Sequence, residues 1–440
     1  YEKRGGLMAN LFWANLINFY QPPNCDRTEL EKIVNRSYLP LLRIFTQNAD
    51  YKVSLNLPGS TVELLIRTGF GQVIKRIAEL ADRGQIDFTM TPKYQPVIPI
   101  ISEDDVARQI EASNKVCKRY FGINYTPRGL YSPFLAYSQS VAKTAARFAL
   151  KWVVTDEVSF TNGGQSNLVS LYMDKSAGGV VLMPRHRELS DALEGSFWAR
   201  KMPRAAAEFV QSALQKCAND KYFVTVVNAE SFGYRHPGRH GLLKALYGEP
   251  KLKRITLSEL RAFIKRKEFV KPQEGTAETR PQDMKRRKPY LLWQNESNPV
   301  QLTLWQLFSL AAGEIKNAGS KGDPQYIRAR EMFDTASAGI IWQMVSGNPW
   351  WNSAYALQAA DDLAIGVFVL LSSSLKAKET AIAHRLKIYE DIEQLEKSGE
   401  IKKWQKNFLR ANNIPFDRFF SSESNHSDKP RNDEPRSKPS

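Results

Sequence analysis

The sequence predicts an α/β fold: a closed or nearly closed parallel (β/α) barrel over about residues 8–268, then a mostly helical domain over about 290–412. Three observations carry this. Short β-rich apolar runs alternate with longer amphipathic stretches through the N-terminal two-thirds. The number of repeats over roughly 260 residues suits a barrel better than a two-sided open sheet. Beyond residue 290 the apolar spacing is helical throughout.

In chain order, LFWANLIN (11–18) reads as the first strand, followed by a helix over 28–46 with Leu30, Ile33, Val34, Leu41 and Leu42 on its apolar face. YKVSLNL (51–57) is the second strand, and residues 61–84 are helical, closed by Gly84. IDFTM (86–90) leads to a helix near 103–121, RGLYS (128–132) to a helix over 138–149, and KWVVTD (151–156) into an irregular stretch. A helix over 203–217 and the strand YFVTVVN (222–228) complete the alternation. The charged, Pro-containing segment 269–289 reads as a linker or exposed excursion. Helical periodicity then marks 301–319, 326–345, 352–378 and 379–412. The polar, Ser- and Pro-rich tail 413–440 is expected to be disordered.

Composition narrows the class. With 42% hydrophobic and 25% charged positions in 440 residues, the chain suits a globular protein, and disorder throughout is excluded. The longest apolar runs, such as LAIGVFVLL at 363–371, fall short of the ~20 residues a membrane-spanning helix needs, so no membrane association is expected. Three widely spaced cysteines fit neither a disulfide framework nor a zinc site, which together with the lack of an export signal makes a reducing cytoplasm the expected location. The net charge of +16 would attract polyanions, and much of it lies in 251–272 and 285–288. No helix-turn-helix, zinc-finger or ribonucleoprotein motif accompanies it, so a solvated surface is preferred over a nucleic-acid partner.

Reactive groups of a parallel barrel sit at the C-terminal ends of its strands. Here those ends carry Asn18-Phe19-Tyr20-Gln21-Pro22-Pro23, Pro92-Lys93-Tyr94-Gln95-Pro96, Tyr131-Ser132-Pro133-Phe134, Thr155-Asp156-Glu157, Pro184-Arg185-His186-Arg187 and Asn228-Ala229-Glu230-Ser231-Phe232-Gly233-Tyr234-Arg235-His236. With WANLINFYQPP (13–23), LNLPGSTVELL (55–65), GQIDFTMTPKYQPVIPII (84–101), YFGINYTPRGLYSPFLAYS (120–138), KWVVTDE (151–157), AESFGYRHPG (229–238) and IIWQMVSGNPWW (340–351), the chain resembles glycoside hydrolase family 57 over most of its length. The resemblance implies an incomplete TIM-like barrel of seven (β/α) repeats followed by a helical bundle. It also implies action on α-glucans by a retaining mechanism, with no metal and no organic cofactor.

The departures from that pattern fall on the chemistry. The resemblance gives the nucleophilic glutamate to the position of Phe134 and the acid/base aspartate to that of Asn228. It gives histidines to those of Asn18 and Gln95. Retention needs one carboxylate to attack the anomeric carbon and a second to protonate the leaving oxygen. Phenylalanine and asparagine do neither. No Asp or Glu lies between Tyr125 and Asp156, so slipping the register does not restore the nucleophile.

The expected function is therefore a catalytically impaired carbohydrate-binding protein. The alternative is an active hydrolase or transferase with relocated carboxylates, Glu230 with Asp156 or Glu157, and a basic nucleic-acid-associated protein is a third reading. Glu230 reads either as a general acid or as a holder of its neighbours, and Asp156-Glu157 either as a catalytic partner or as a cap. Tyr20, Gln21 and Tyr94 suit sugar rings, with barrel-mouth packing as the plain reading. Arg185 and Arg187 would leave the mouth net positive and favour an anionic ligand. Trp342, Trp350 and Trp351 would line the mouth from the helical domain or pack between domains. His236 has no metal-ligand spacing.

Overall fold

A computed structural model describes residues 11–160, 170–174, 178–195, 202–217, 221–318 and 322–412. The strands are β1 (Leu11–Asn18), β2 (Val53–Asn56), β3 (Ile86–Met90), β4 (Gly129–Tyr131), β5 (Trp152–Asp156), β6 (Leu171–Asp174), β7 (Val181–Arg185), β8 (Tyr222–Asn228), β9 (Leu252–Ile255) and β10 (Lys267–Val270). Seven of them run parallel in the order β7-β5-β4-β3-β2-β1-β8. A main-chain hydrogen bond from His186 N–H to Val224 O, 2.8 Å, links β7 to β8 where the ladder is not continuous. The result is the expected curled, incomplete barrel. β6 pairs antiparallel with β7 and parallel with β10, and β9 runs beside the first half of β1.

The strands form because their apolar side chains are covered on both faces, as a parallel sheet requires. Trp13, Leu16, Leu55, Leu130, Val153, Leu182, Phe223 and Val227 all belong to one buried core. Close packing fixes β4 against β5: a Cβ on Gly129 would lie 2.0 Å from the Trp152 indole, so only glycine lets the two strands pair there.

The chain divides into two compact units. The first holds residues 11–291 together with 330–340, and the second holds 292–329 and 341–412. Within the first, residues 330–340 are tied to the helix Glu103–Phe121 by Arg108 with Asp334, by Arg330 with Asp105, and by Gln109 Nε2 donating to Ser337 Oγ at 2.8 Å. Within the second, Gln301 Nε2 donates to the Leu292 and Trp342 carbonyls, and Trp342 stacks face to face on Trp305 with centroids 4.0 Å apart.

Several elements differ from expectation. The helix over 28–46 contains a π-helical turn at Val34–Tyr38, and the helix over 61–84 is two helices, Gly59–Arg67 and Gly71–Asp82, divided at Gly69 with φ 91°. The stretch read as irregular contains β6 and β7. Pro184 obscured the second of these, since proline is disfavoured inside strands. Segment 269–289 is no free linker. Gln273 N–H bonds to Ser159 O at 2.8 Å, Tyr137 and Gly275 form a β-bridge, and Ala277 N–H bonds to Phe134 O at 2.8 Å. The last helices break at Leu370–Ser374 and at Gly399, whose φ of 71° suits a glycine cap, rather than near 378. The tail 413–440 lies outside the described residues.

Candidate functional site

Register builds the mouth. Asn18 is paired with Asn56 on one side and with Asn228 on the other, so three amides end three adjacent strands at one level. In a parallel sheet residues level with one another point to the same face, which allows their side chains to bond. Asn56 Nδ2 donates to Asn18 Oδ1 at 2.8 Å, and Asn18 Nδ2 donates to Asn228 Oδ1 at 3.0 Å. Thr89 Oγ1, from β3, donates to Asn56 Oδ1 at 2.8 Å. The far end of this chain of dipoles is a carboxylate: Glu194 Oε1 accepts from Asn228 Nδ2 at 2.9 Å and from Asn228 N–H at 2.5 Å.

Glu194 ends the helix Arg187–Glu194 that follows β7, and Gly195 turns the chain away with φ 123°. Any side chain at 195 would collide with His236, its Cβ 2.3 Å from Nε2, so Gly195 is what brings the helix end against the motif at 228–236. Burial pushes the Glu194 carboxyl above its ordinary range, against the pull of the Asn228 N–H and of Arg235 and Arg185. The sequence alone gave no sign of this residue. A Glu before a Gly marks a helix end and does not say what the carboxylate will touch.

Glu230 is buried, its Oε1 accepts from Arg235 Nη2 at 3.2 Å, and its Oε2 has no hydrogen-bond partner. Its pKa is raised by burial, against the opposing charge of Arg235, with a smaller push from the charge of Glu194. Both carboxyls are thus raised, and Glu230 lies within the field of Glu194. The π-helical turn at Val34–Tyr38 docks onto the same motif: Ser37 Oγ donates to Ala229 O at 2.5 Å, and Gln21 Nε2 donates to Tyr38 Oη at 3.2 Å. π-Turns recur at functional sites because the extra residue re-aims side chains.

Asp156 and Arg185 are also level with one another, at the ends of β5 and β7. Arg185 Nε lies 2.6 Å from Asp156 Oδ2 and Arg187 Nη2 lies 2.6 Å from Oδ1, while Arg185 Nη2 is 3.5 Å from Asp191. Arg187 further donates to the Thr276 and Thr279 carbonyls. This corrects one expectation. The arginines do not leave the mouth net positive, because Asp156 and Asp191 neutralise them. Asp156 is 0% exposed, is held by both arginines and accepts from Val158 N–H at 3.0 Å, the bond expected of a cap. Glu157 beside it is pushed up to about 7, first by burial and then by Asp156.

Phe134 ends the β4 loop in the left-handed region, φ 58° and ψ 17°, and Gln95 sits at φ 57°. Non-glycine residues hold such φ only when their surroundings enforce it. The Phe134 ring lies against Gly339, where an added Cβ would be 2.3 Å from Cε2. Gln95 Nε2 turns inward to Thr91 Oγ1 at 2.7 Å and Pro92 O at 2.9 Å. Tyr20 is half-buried beside Gln21. Tyr94 is buried, with Lys93 Nζ 5.1 Å from its ring centroid and its backbone N–H donating to Gln109 of the helix Glu103–Phe121. Trp342, Trp350 and Trp351 belong to the second unit. Exposed His236 packs on Gly195. Among the described residues no group of three or more His, Cys, Asp or Glu could hold a metal, and no helix is long and apolar enough to cross a membrane.

The model of glycosyl hydrolase family 57 matches residues 1–288. The chain belongs to that family. Alpha-amylase 1 of Dictyoglomus thermophilum is 25% identical over 174 residues, 39% of this chain and 25% of that protein. The 4-alpha-glucanotransferase of Thermococcus litoralis is 24% identical over 167 residues, 38% of this chain and 25% of that protein. These matches thus span about a quarter of the length of the curated relatives. Among solved structures, the family 57-type branching enzyme of Pyrococcus horikoshii superposes with a TM-score of 0.68 at 13% identity, covering 86% of this chain and 95% of that one. At that identity the likeness speaks for the fold, and the family 57 frame is the one described above.

Proposed function

We propose that this family 57 protein binds α-glucan chains at its barrel mouth and does not cleave them by the retaining route. The observation that carries the reading is the hydrogen bond from Asn18 to Asn228, 3.0 Å, within a row of amides that ends on Glu194. Amides at both positions offer sugar hydroxyls a donor and an acceptor, and neither titrates. The nucleophile's position holds Phe134, whose ring cannot attack an anomeric carbon. Relatives named alpha-amylase and 4-alpha-glucanotransferase supply the substrate class. Calorimetric titration with maltoheptaose, run beside a reducing-end assay on the same substrate, tests it. Binding without release of reducing ends is expected, and steady release or no binding overturns it.

One observation favours a second reading. Glu230 Oε2 is buried and unpartnered, and both Glu230 and Glu194 are held toward the protonated form. A buried acid with a free oxygen can donate to a leaving group. In this reading Glu194, and not Asp156 or Glu157, is the second carboxylate. Reducing ends that vanish in both Glu230→Gln and Glu194→Gln would select it.

A further inference from the structure

The end of the barrel opposite the mouth carries a basic, aromatic surface that a neutral glucan leaves without a role. The helix Leu257–Phe263 closes that end by bonding to the starts of three strands. Leu257 N–H donates to Ser54 Oγ of β2 at 2.9 Å, Ser258 N–H to Asp87 of β3 at 3.0 Å, and Trp152 Nε1 of β5 to Ser258 Oγ at 3.2 Å. The outer side of this helix, with β9 beside the first half of β1, therefore faces away from the strand ends that form the mouth.

Residues 251–271 contain eight Lys and Arg against two Glu. Glu259 is engaged by Lys52, and Glu268 by Arg266 at 2.9 Å. Among the described residues Lys251, Lys253, Arg261, Lys265 and Lys267 have no ion-pair partner, and the four lysines are exposed. The same run of sequence carries two large exposed rings: Phe263 is 50% and Phe269 59% exposed. Phe263 is stacked on Phe12, centroids 5.4 Å apart and planes 19° off parallel, and Lys253 Nζ sits 5.2 Å and 5.5 Å from the two ring centres. Clustered unpaired cations repel one another, and exposed phenyl rings gain nothing from water. A ligand that carries both anionic charge and flat apolar faces relieves both costs.

We infer that this surface binds single-stranded nucleic acid, the lysines tracking its phosphates and Phe263 and Phe269 receiving its bases. Phosphate neutralisation and base stacking on aromatic rings are the two terms such binding uses, and neither depends on sequence. A lipid surface fits less well. Between the two rings lie Lys265, Arg266, Lys267 and Glu268, so no continuous apolar face is offered to a bilayer.

The test is fluorescence anisotropy of a labelled oligouridylate of about 20 nucleotides with the full chain, over a salt series. Binding that weakens with salt is expected. The triple change Lys253→Glu, Lys265→Glu, Lys267→Glu should weaken it by at least about 10-fold and flatten the salt slope. Phe269→Ala, whose ring is largely exposed, should weaken it by about 5- to 100-fold while leaving binding of heparin, which has no bases, unchanged. Circular dichroism and maltoheptaose binding at the distant mouth report whether each variant is folded. Four outcomes overturn the inference: no binding at low salt, indifference to the charge reversals, equal losses for oligouridylate and heparin in Phe269→Ala, or capture of the chain by phosphatidylserine vesicles in preference to the oligonucleotide.

Discussion

Asn18 donates to Asn228 across the β1–β8 ladder at 3.0 Å, and the pair is level in register at the ends of both strands. An amide pair holds its geometry at every pH at which the protein folds, because neither side chain gains or loses a proton. What the mouth does is therefore decided by the groups around that pair, and four expectations follow from them.

Phe134→Glu with Asn228→Asp should release reducing ends from maltoheptaose slowly, and neither single change should. An aspartate at 228 would meet the Glu194 oxygen that Asn228 Nδ2 now reaches at 2.9 Å, and two carboxylates that close share one proton, which supplies an acid at neutral pH. The glutamate at 134 would enter a slot now filled by a phenyl ring against Gly339, where burial raises its pKa and limits the ionised nucleophile. A misplacement of about 1 Å costs ~100-fold, so rates well below those of ordinary glycosidases are expected. A folded double variant that neither cleaves nor binds the oligosaccharide would end the carbohydrate reading.

Glu194→Ala should destabilise the barrel more than Glu194→Gln. Alanine leaves the Asn228 N–H and Nδ2 without their acceptor, at about 1–3 kcal/mol for each buried group left unpaired, whereas glutamine keeps one accepting oxygen. Urea denaturation of the three proteins measures it. Equal midpoints for the two variants would show that the carboxylate does not hold the motif at 228–236.

Glu157 is raised from 4.5 to about 7 by burial and by Asp156, so the native state holds its proton more tightly than the unfolded chain. Its protonated form contributes stability that is fully present below the unfolded pKa and is lost as pH rises through the folded value. Relative to the parent, Glu157→Gln should thus be near neutral at pH 4 and stabilising at pH 8, by on the order of 1–3 kcal/mol. Paired thermal melts across that range decide it, and a pH-independent difference would refute it.

Gly339→Ala should cost about 1–3 kcal/mol, since its Cβ would press 2.3 Å from Phe134 Cε2. Phe134→Ala in the same chain should recover part of that loss. A double-mutant cycle with no coupling energy would mean that the ring does not occupy the place of that Cβ.

The alternation of strand and helix, the helical character beyond residue 290 and the family were all legible in the sequence, because each is written in residue type and local spacing. LFWANLIN, IDFTM and YFVTVVN announce their strands by consecutive apolar residues that a sheet covered on both faces demands. Which side chains meet was not legible. Asn18, Asn56 and Asn228 stand far apart in the chain, and only the parallel register sets them level. Glu194 became part of the mouth through a helix end and a glycine that let His236 approach. Arg185 and Arg187 counted as free charge until register set Arg185 level with Asp156 and folding brought Arg187 onto the same carboxylate. Residues 269–289 looked like a linker because their polar composition satisfies solvent as readily as it satisfies the backbone groups of Ser159, Tyr137 and Phe134. Composition and period fix which elements form, since those depend on neighbours a few residues away; contacts between strand ends depend on long-range register, which only the closed tertiary structure supplies.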